Sequence, residues 1–201
     1  MVETDHEVAL EDTDRIQGRA ALVNNVRAAT SLAGAIRSTL GPKGLDKMLV
    51  EDDGSALVTN DGVTVLETAS VEHPTAKMLI DASSSQDRVA RDGTTTTVIL
   101  VSEMLQNALE LVRMGIHPSI IVKGYDIALE EALCEVRRVS KESGNIQKMQ
   151  VVRTSLQGKG DSSLCELIGE LAIKAAQKIA GEQGGDNLER MRIKRLQVRQ
   201  G

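Results

Sequence analysis

The architecture of this chain follows from one segment, Arg91-Asp-Gly-Thr-Thr-Thr-Thr-Val-Ile-Leu-Val101. It joins a carboxylate, a glycine and a row of hydroxyls to an apolar run. If a helix starts here, its first turn offers backbone N–H groups without intrahelical partners, and an anion can bind to them. Asp92 could hold Mg²⁺ through oxygen, while Gly93 lets the backbone approach a phosphate closely. The same residues also fit an Asp N-cap followed by a β-branched strand.

Propensity and periodicity disagree over the residues that follow Thr94. Strand-forming residues dominate the segment 94–101, yet the apolar positions have helical spacing. We predict a helix, because the pattern is long and is stopped by Gly115 and Pro118. Its apolar face comprises Val98, Val101, Leu105, Ala108, Leu109 and Val112.

Other segments complete a mainly α architecture. Helical spacing over residues 14–40 ends at Gly41-Pro42, where proline lacks the N–H that a helix needs. Further helices are predicted from Pro74 onward, from Pro118 to residues 143–144, and from the cap Asp161 to Gly181, which gives five helices in all. Met48–Val50 and Ala56–Thr59 predict a β-hairpin, and residues 191–198 alternate like an amphipathic strand.

Composition limits the classes of function. The chain of 201 residues has no Phe, no Trp and a single tyrosine, Tyr125, so its core must be aliphatic. Recognition of single-stranded nucleic acid by base stacking is therefore disfavoured. Five of the last dozen residues are Lys or Arg, although the formal charge is −5, so the basic tail could contact nucleic acid or an acidic surface instead of forming a strand.

Cysteine usage and hydropathy indicate a cytoplasmic protein without a membrane partner. Cys134 and Cys165 are too few and too far apart in sequence for a disulfide framework or a zinc site. Apolar runs are shorter than the ~20 residues of a membrane span, and the N-terminus is acidic rather than signal-like. His73 and His117 each precede a proline at a predicted helix start, where capping or packing is the simplest role.

Four glycine-bearing turns remain as candidate sites, and together with flanking motifs they resemble group II chaperonins. This family includes the archaeal thermosome and the eukaryotic cytosolic chaperonin. The turns are Thr39-Leu-Gly-Pro-Lys-Gly44, Thr59-Asn-Asp-Gly62, Asp92–Thr97 and Thr154-Ser-Leu-Gln-Gly-Lys-Gly160; the flanking matches are Arg37–Met48, Val71–Met78 and Ile116–Tyr125.

The resemblance implies a domain organisation. Residues 1–144 would form the N-terminal half of a helical equatorial domain that binds nucleotide, with a small β-hairpin. Residues 145–201 would form the N-terminal part of the α/β intermediate domain. The chain stops at Gly201, where a family member would enter its apical domain, so the apical domain and the C-terminal half of the ATP site are expected to be absent.

The resemblance also implies site residues for ATP or ADP and Mg²⁺. Asp92 would bind the metal, and Asp61 would act in catalysis near the γ-phosphate and the attacking water. Lys159 would sense the γ-phosphate. The phosphates would be contacted by Leu40, Gly41, Pro42, Gly93, Thr94, Thr95 and Thr96.

The expected function is that of an ATP-dependent chaperone subunit in a double ring of chaperonin subunits, assisting the folding of unfolded proteins. The alternative is a truncated relative that lacks ATPase activity and associates with rings through the Met48–Thr59 hairpin. Arg91 stands where the family usually has glycine, so it could crowd the phosphates or reach them as an extra cation. Whether the chain is itself an ATPase stays open at this point.

Overall fold

The computed structural model describes residues 16–50, 54–69, 71–141, 144–157 and 160–180. Over these residues the protein is mainly helical, which confirms the predicted fold class. The two strands, β1 (Lys47–Val50) and β2 (Ala56–Thr59), pair antiparallel from Lys47 opposite Thr59 to Val50 opposite Ala56. The helices are α1 (Gly18–Ile36), α2 (Gly62–Thr68), α3 (Pro74–Ala90), α4 (Thr94–Arg113), α5 (Pro118–Val139), α6 (Asn145–Leu156) and α7 (Ser162–Ala180), with a short 3₁₀ helix at Arg37–Thr39.

Helices α1 to α4 surround one aliphatic core in the first of two compact units, which takes in described residues from 16 to 40 and from 44 to 132. Ile36, Leu66 and Val98 are its largest completely buried apolar side chains. Alanines on α1 and α3 let the helices approach closely and compensate for the missing aromatic side chains. The buried cluster comprises Ala29, Leu32, Ala33, Ile36, Val65, Leu66, Ala76, Leu79 and Val98.

The first helix is shorter than the predicted span of residues 14–40. It begins at Gly18 and gives way to the 3₁₀ helix after Ile36. Ile16 and Leu40, which the periodicity placed on the apolar face, are 51% and 47% exposed because they lie beyond the helix ends. The predicted stop at Gly41-Pro42 is confirmed, since Gly41 has a φ of +81°, where glycine is favoured.

The two His-Pro sequences start helices as predicted. Pro74 opens α3, and the Nδ1 atom of His73 accepts a hydrogen bond of 3.2 Å from the backbone N–H of Thr75. Pro118 opens α5, and the Nδ1 atom of His117 accepts one of 3.3 Å from the N–H of Ser119. Both rings therefore satisfy first-turn amides, which is the capping role expected for them.

Two helices in the described part of the chain were not predicted. The sequence Asn60-Asp61-Gly62 predicts only a turn, but α2 begins at Gly62 and is only 7 residues long, too short to show a clear period. Helix α6 has 12 residues whose apolar members do not gather on one face. The described residues therefore contain seven α-helices, two more than the five predicted.

The second compact unit contains α6 and α7, which pack against each other. Gly169 of α7 allows this approach, because a methyl group there would lie 3.0 Å from Val152 Cγ1 on α6. Asp161 caps α7 as predicted: it accepts hydrogen bonds from the hydroxyl of Ser163 and, at 3.1 Å, from its N–H. These bonds hold the pKa of Asp161 below its ordinary value.

Some predictions about organisation are not decided by these observations. The two units divide between Ala132 and Leu133, within α5. The domain boundary at residue 144 stays a prediction, and the strand at residues 191–198, with the basic tail, lies outside the described residues. Among the helices described, none combines the length and the apolar character needed to cross a membrane.

Candidate functional site

The segment Arg91–Val101 forms the turn between α3 and α4 and the start of α4. Thr94 is the first residue of α4, so the strand interpretation is wrong and helical periodicity outweighs β propensity here. The N-cap is Gly93 rather than Asp92, with φ +80° and ψ 10°. The N–H and the hydroxyl of Thr97 both donate to the Gly93 carbonyl at 2.9 Å, which closes the first turn.

The start of α4 presents donors that a phosphate could use. The backbone N–H groups of Thr94, Thr95 and Thr96 belong to the first turn, where a helix supplies no intrahelical acceptor for them. The side chains of Thr94 and Thr95 are buried, whereas that of Thr96 is exposed. Among the three threonine hydroxyls predicted to contact phosphate, only that of Thr96 therefore belongs to an exposed residue.

Asp92 lies on the exposed turn directly before this helix start. Its Oδ1 atom accepts a hydrogen bond of 2.7 Å from the N–H of Gly93, which uses one of the two carboxylate oxygens. No cluster of three or more His, Cys, Asp or Glu side chains that could hold a metal occurs in the described part of the chain. A single carboxylate nevertheless suits Mg²⁺, which keeps several waters and shares the phosphates of a nucleotide.

Asp61 is the N-cap of α2. Its Oδ2 atom accepts hydrogen bonds from the N–H of Thr64 at 3.0 Å and from the Thr64 hydroxyl at 2.6 Å. The N–H of Asp61 in turn donates to the Thr59 hydroxyl at 3.1 Å, at the end of β2. These contacts fix the carboxylate in one orientation, and no partner is found for its Oδ1 atom among the residues that the structure describes.

The starts of α2 and α4 lie against each other. This contact brings the turn at Asp61 next to the first turn of α4, whose amides could bind phosphate. Gly62, the first residue of α2, packs on Thr95 of α4. A methyl group placed on Gly62 would lie 2.1 Å from Thr95 Oγ1 and 3.4 Å from its backbone nitrogen. Real Cβ atoms do not approach other atoms so closely, so only glycine allows this contact.

The turn at Leu40-Gly41-Pro42 is well formed. The N–H of Leu40 donates to the Arg37 carbonyl at 3.3 Å, and that of Leu45 donates to the Ser38 carbonyl at 2.8 Å. Gly41 and Pro42 are grouped with the second compact unit, so their role in binding phosphate stays a prediction. Lys159 lies outside the described residues, and its proposed role is likewise untested.

Comparison with known proteins identifies the family. The sequence profile of the TCP-1/cpn60 chaperonin family matches residues 32–201. The chain belongs to this family. Among curated relatives, thermosome subunit beta of Archaeoglobus fulgidus is 43% identical over 194 residues, covering 93% of this chain and 35% of the relative. Thermosome subunit alpha of Thermoplasma acidophilum is 40% identical, covering 90% of this chain and 33% of the relative.

These relatives confirm the resemblance to the N-terminal part of group II chaperonins. Thermosome subunit 2 of Haloferax volcanii is also 40% identical, over 86% of this chain and 31% of the relative. The chain spans about a third of the length of these curated relatives. It is a chaperonin subunit sequence, and the activity and partners of a complete subunit are proposals for this chain.

The backbone at position 91 has a conformation that glycine adopts more readily than arginine. Arg91 is the C-cap of α3 and has a left-handed backbone, with φ +56° and ψ 19°. Its guanidinium is bound to Asp87 Oδ2 at 3.2 Å and the side chain is 64% exposed. Arginine here carries conformational strain that glycine would avoid.

The sequence interpretation missed one residue that contacts the candidate site. Gln86 lies in the last turn of α3, and its Nε2 atom donates to the Asp92 carbonyl at 3.0 Å. Its position is the one signal in the sequence that could have indicated this contact, because it places a long polar side chain near the end of a helix, just before a glycine-bearing loop. Such a residue can reach back to the loop backbone, but no apolar pattern marks it.

Proposed function

We propose that this chaperonin chain binds Mg-ATP at the paired starts of α2 and α4. We further propose that it acts in a cytoplasmic ring of chaperonin subunits, where ATP hydrolysis assists the folding of unfolded proteins. The observation that carries this proposal is the approach of Gly62 to Thr95, which places a carboxylate turn beside a set of free helix amides. Phosphoryl transfer depends mainly on positioning and charge neutralisation; in the proposal, the helix amides would position the phosphates and Mg²⁺ held by Asp92 would neutralise their charge.

Phosphate binding rests on the first turn of α4. The amides of Thr94, Thr95 and Thr96 can donate to phosphate oxygens, and the positive end of the helix dipole adds to their attraction. The exposed hydroxyl of Thr96 supplies a further donor. Gly93 has no side chain to block the approach of the phosphate.

The carboxylates of Asp92 and Asp61 take separate roles in the proposal. Asp92 would hold Mg²⁺, which neutralises phosphate charge when bound. Asp61 would orient the attacking water and accept its proton, because hydrogen bonds to Thr64 fix one oxygen and leave the other for water. In this proposal, Lys159 and the turn at Leu40-Gly41-Pro42 provide further phosphate contacts, as the family resemblance implies.

Matched variants of the two aspartates test the proposal. Asp61→Asn preserves the α2 cap, because asparagine is an equally good N-cap, but it removes the proton acceptor. We expect Mg-ATP to bind this variant as it binds the parent, while turnover falls by about 100-fold or more. Asp92→Asn should instead lose Mg-dependent binding. Calorimetric titration and a phosphate-release assay separate these effects, and a parent protein that does not bind Mg-ATP would refute the proposal.

The hairpin favours a second candidate function, ring association without turnover. Met48, Val50 and Val58 are 69%, 68% and 56% exposed, so β1 and β2 present an apolar surface that a neighbouring subunit could cover. Association with a full-length chaperonin, measured by analytical ultracentrifugation, would support this function if Mg-ATP binding is absent. Replacing Met48 and Val58 with serine should then abolish association.

A further inference from the structure

We propose that Gln86 is a positioning residue for the Mg²⁺ and phosphate site, a role that rests on the proposed ATP-binding function. Its side chain bridges the last turn of α3 and the Asp92 carbonyl, with 3.0 Å between Nε2 and the carbonyl oxygen. Gln86 is half-buried. Helix α3 packs on α4 through the aliphatic core, so the bridge ties the exposed turn at Asp92 to a packed helix.

The bridge fixes the orientation of the peptide between Asp92 and Gly93. In a trans peptide the C=O and N–H bonds point in opposite directions, so holding one determines the other. Because the Asp92 carbonyl points to Gln86, the N–H of Gly93 points away from Gln86. A flipped peptide would lose the Gln86 bond and turn a carbonyl oxygen toward the Asp92 carboxylate, in place of the Gly93 N–H.

The same peptide also orients the proposed magnesium ligand. The N–H of Gly93 donates to Asp92 Oδ1 at 2.7 Å, so its direction sets the rotamer of the carboxylate. Gln86 therefore acts on the metal ligand through one peptide and one further hydrogen bond. Gly93 accommodates this arrangement, because it has φ +80° and a methyl group there would lie 3.4 Å from Gln86 Nε2.

Neighbouring side chains do not replace Gln86 in this role. Arg91 is the nearest cation along the turn, but its guanidinium is bound to Asp87. The neutral amide of Gln86 provides a donor without adding a positive charge that would compete with Mg²⁺ for Asp92.

Gln86→Met is the sharpest test, because methionine has a similar length, removes the N–H₂ donor and adds no charge beside Asp92. Ser85→Ala, at the adjacent exposed position of α3, is the matched control. In the ligand-free protein, we expect amide exchange of Gly93, measured by NMR, to become roughly tenfold faster in Gln86→Met. Calorimetric titration should show Mg-ADP binding weakened by about tenfold, and binding of ADP in EDTA changed by less than about threefold.

Three outcomes overturn the inference. One is a Gly93 exchange rate equal to that of Ser85→Ala. Another is Mg-ADP affinity equal to that of the control, and the third is an equal loss of ADP affinity with and without Mg²⁺, which would indicate a general structural defect. If the parent does not bind Mg-ADP, the proposed function is what fails, and Gly93 exchange alone decides whether Gln86 holds the turn.

Discussion

Replacing Gly62 with alanine tests the contact that joins the two candidate turns. The new methyl group would lie 2.1 Å from Thr95 Oγ1 and 3.3 Å from Thr95 Cβ, and Thr95 is only 8% exposed. Overpacking of this kind destabilises a protein by about 1–3 kcal/mol. Alanine also lowers the conformational entropy of the unfolded chain relative to glycine. This stabilises the folded protein by about 0.4–1 kcal/mol and offsets part of the destabilisation. We therefore expect a net destabilisation of roughly 1–2 kcal/mol.

Urea unfolding followed by circular dichroism measures this change, with Gly34→Ala as the matched control. Gly34 lies inside α1, and no atom would lie within 4 Å of its added methyl group. This control should be stabilised by about 0.4–1 kcal/mol. Thr95→Ala removes the hydroxyl that Gly62→Ala would clash with, so the double variant should recover about 1 kcal/mol relative to the sum of the single changes.

The contact between Gly62 and Thr95 would be refuted if Gly62→Ala were as stable as Gly34→Ala. It would also be refuted if the effects of Gly62→Ala and Thr95→Ala were simply additive, because the two residues would then not be in contact. Either result would mean that the turn at Asp61 does not contact the start of α4. The main support for a shared site would then be lost.

Two further predictions concern the turn and cap residues. Arg91→Gly should raise the free energy of unfolding by roughly 0.5–1 kcal/mol, because glycine relieves the strain of the left-handed backbone and only the exposed ion pair with Asp87 is lost. A urea midpoint lower than that of the parent would contradict this. The pKa of Asp161 is lowered by hydrogen bonds from Ser163, so its stabilising effect is present at neutral pH and is lost as the pH falls. Below about pH 4, the urea midpoint of the parent should therefore fall more steeply with decreasing pH than that of Asp161→Asn. If the two midpoints fell in parallel, the Asp161 carboxylate would not stabilise the start of α7.

Much of the helical framework could be predicted, because its signals are local in sequence. Helical spacing after Thr94 was long enough to outweigh β propensity, and α4 runs from Thr94 to Arg113. The prolines after His73 and His117, and the cap Asp161, indicated three helix starts together with the apolar spacing that follows each of them. These features depend on residues within one or two turns of each other, which a single sequence shows directly.

The features that were missed depend on short elements or on tertiary contacts. Helix α2 has 7 residues, so a period of 3.6 residues hardly repeats within it. The contact of Gly62 with Thr95 and the bond from Gln86 to Asp92 join different helices, and no spacing rule predicts them. The four candidate turns were found from the sequence, but the pairing of two of them required the fold.

Calorimetric titration of the parent and of Asp92→Asn with ADP, with Mg²⁺ and in EDTA, tests whether the start of α4 holds a magnesium-nucleotide site. We expect the parent to bind ADP tightly only when Mg²⁺ is present, and Asp92→Asn to lose this dependence with its fold intact by circular dichroism. Parent binding that is the same with and without Mg²⁺, or unaffected by Asp92→Asn, would contradict a magnesium-nucleotide site at the start of α4.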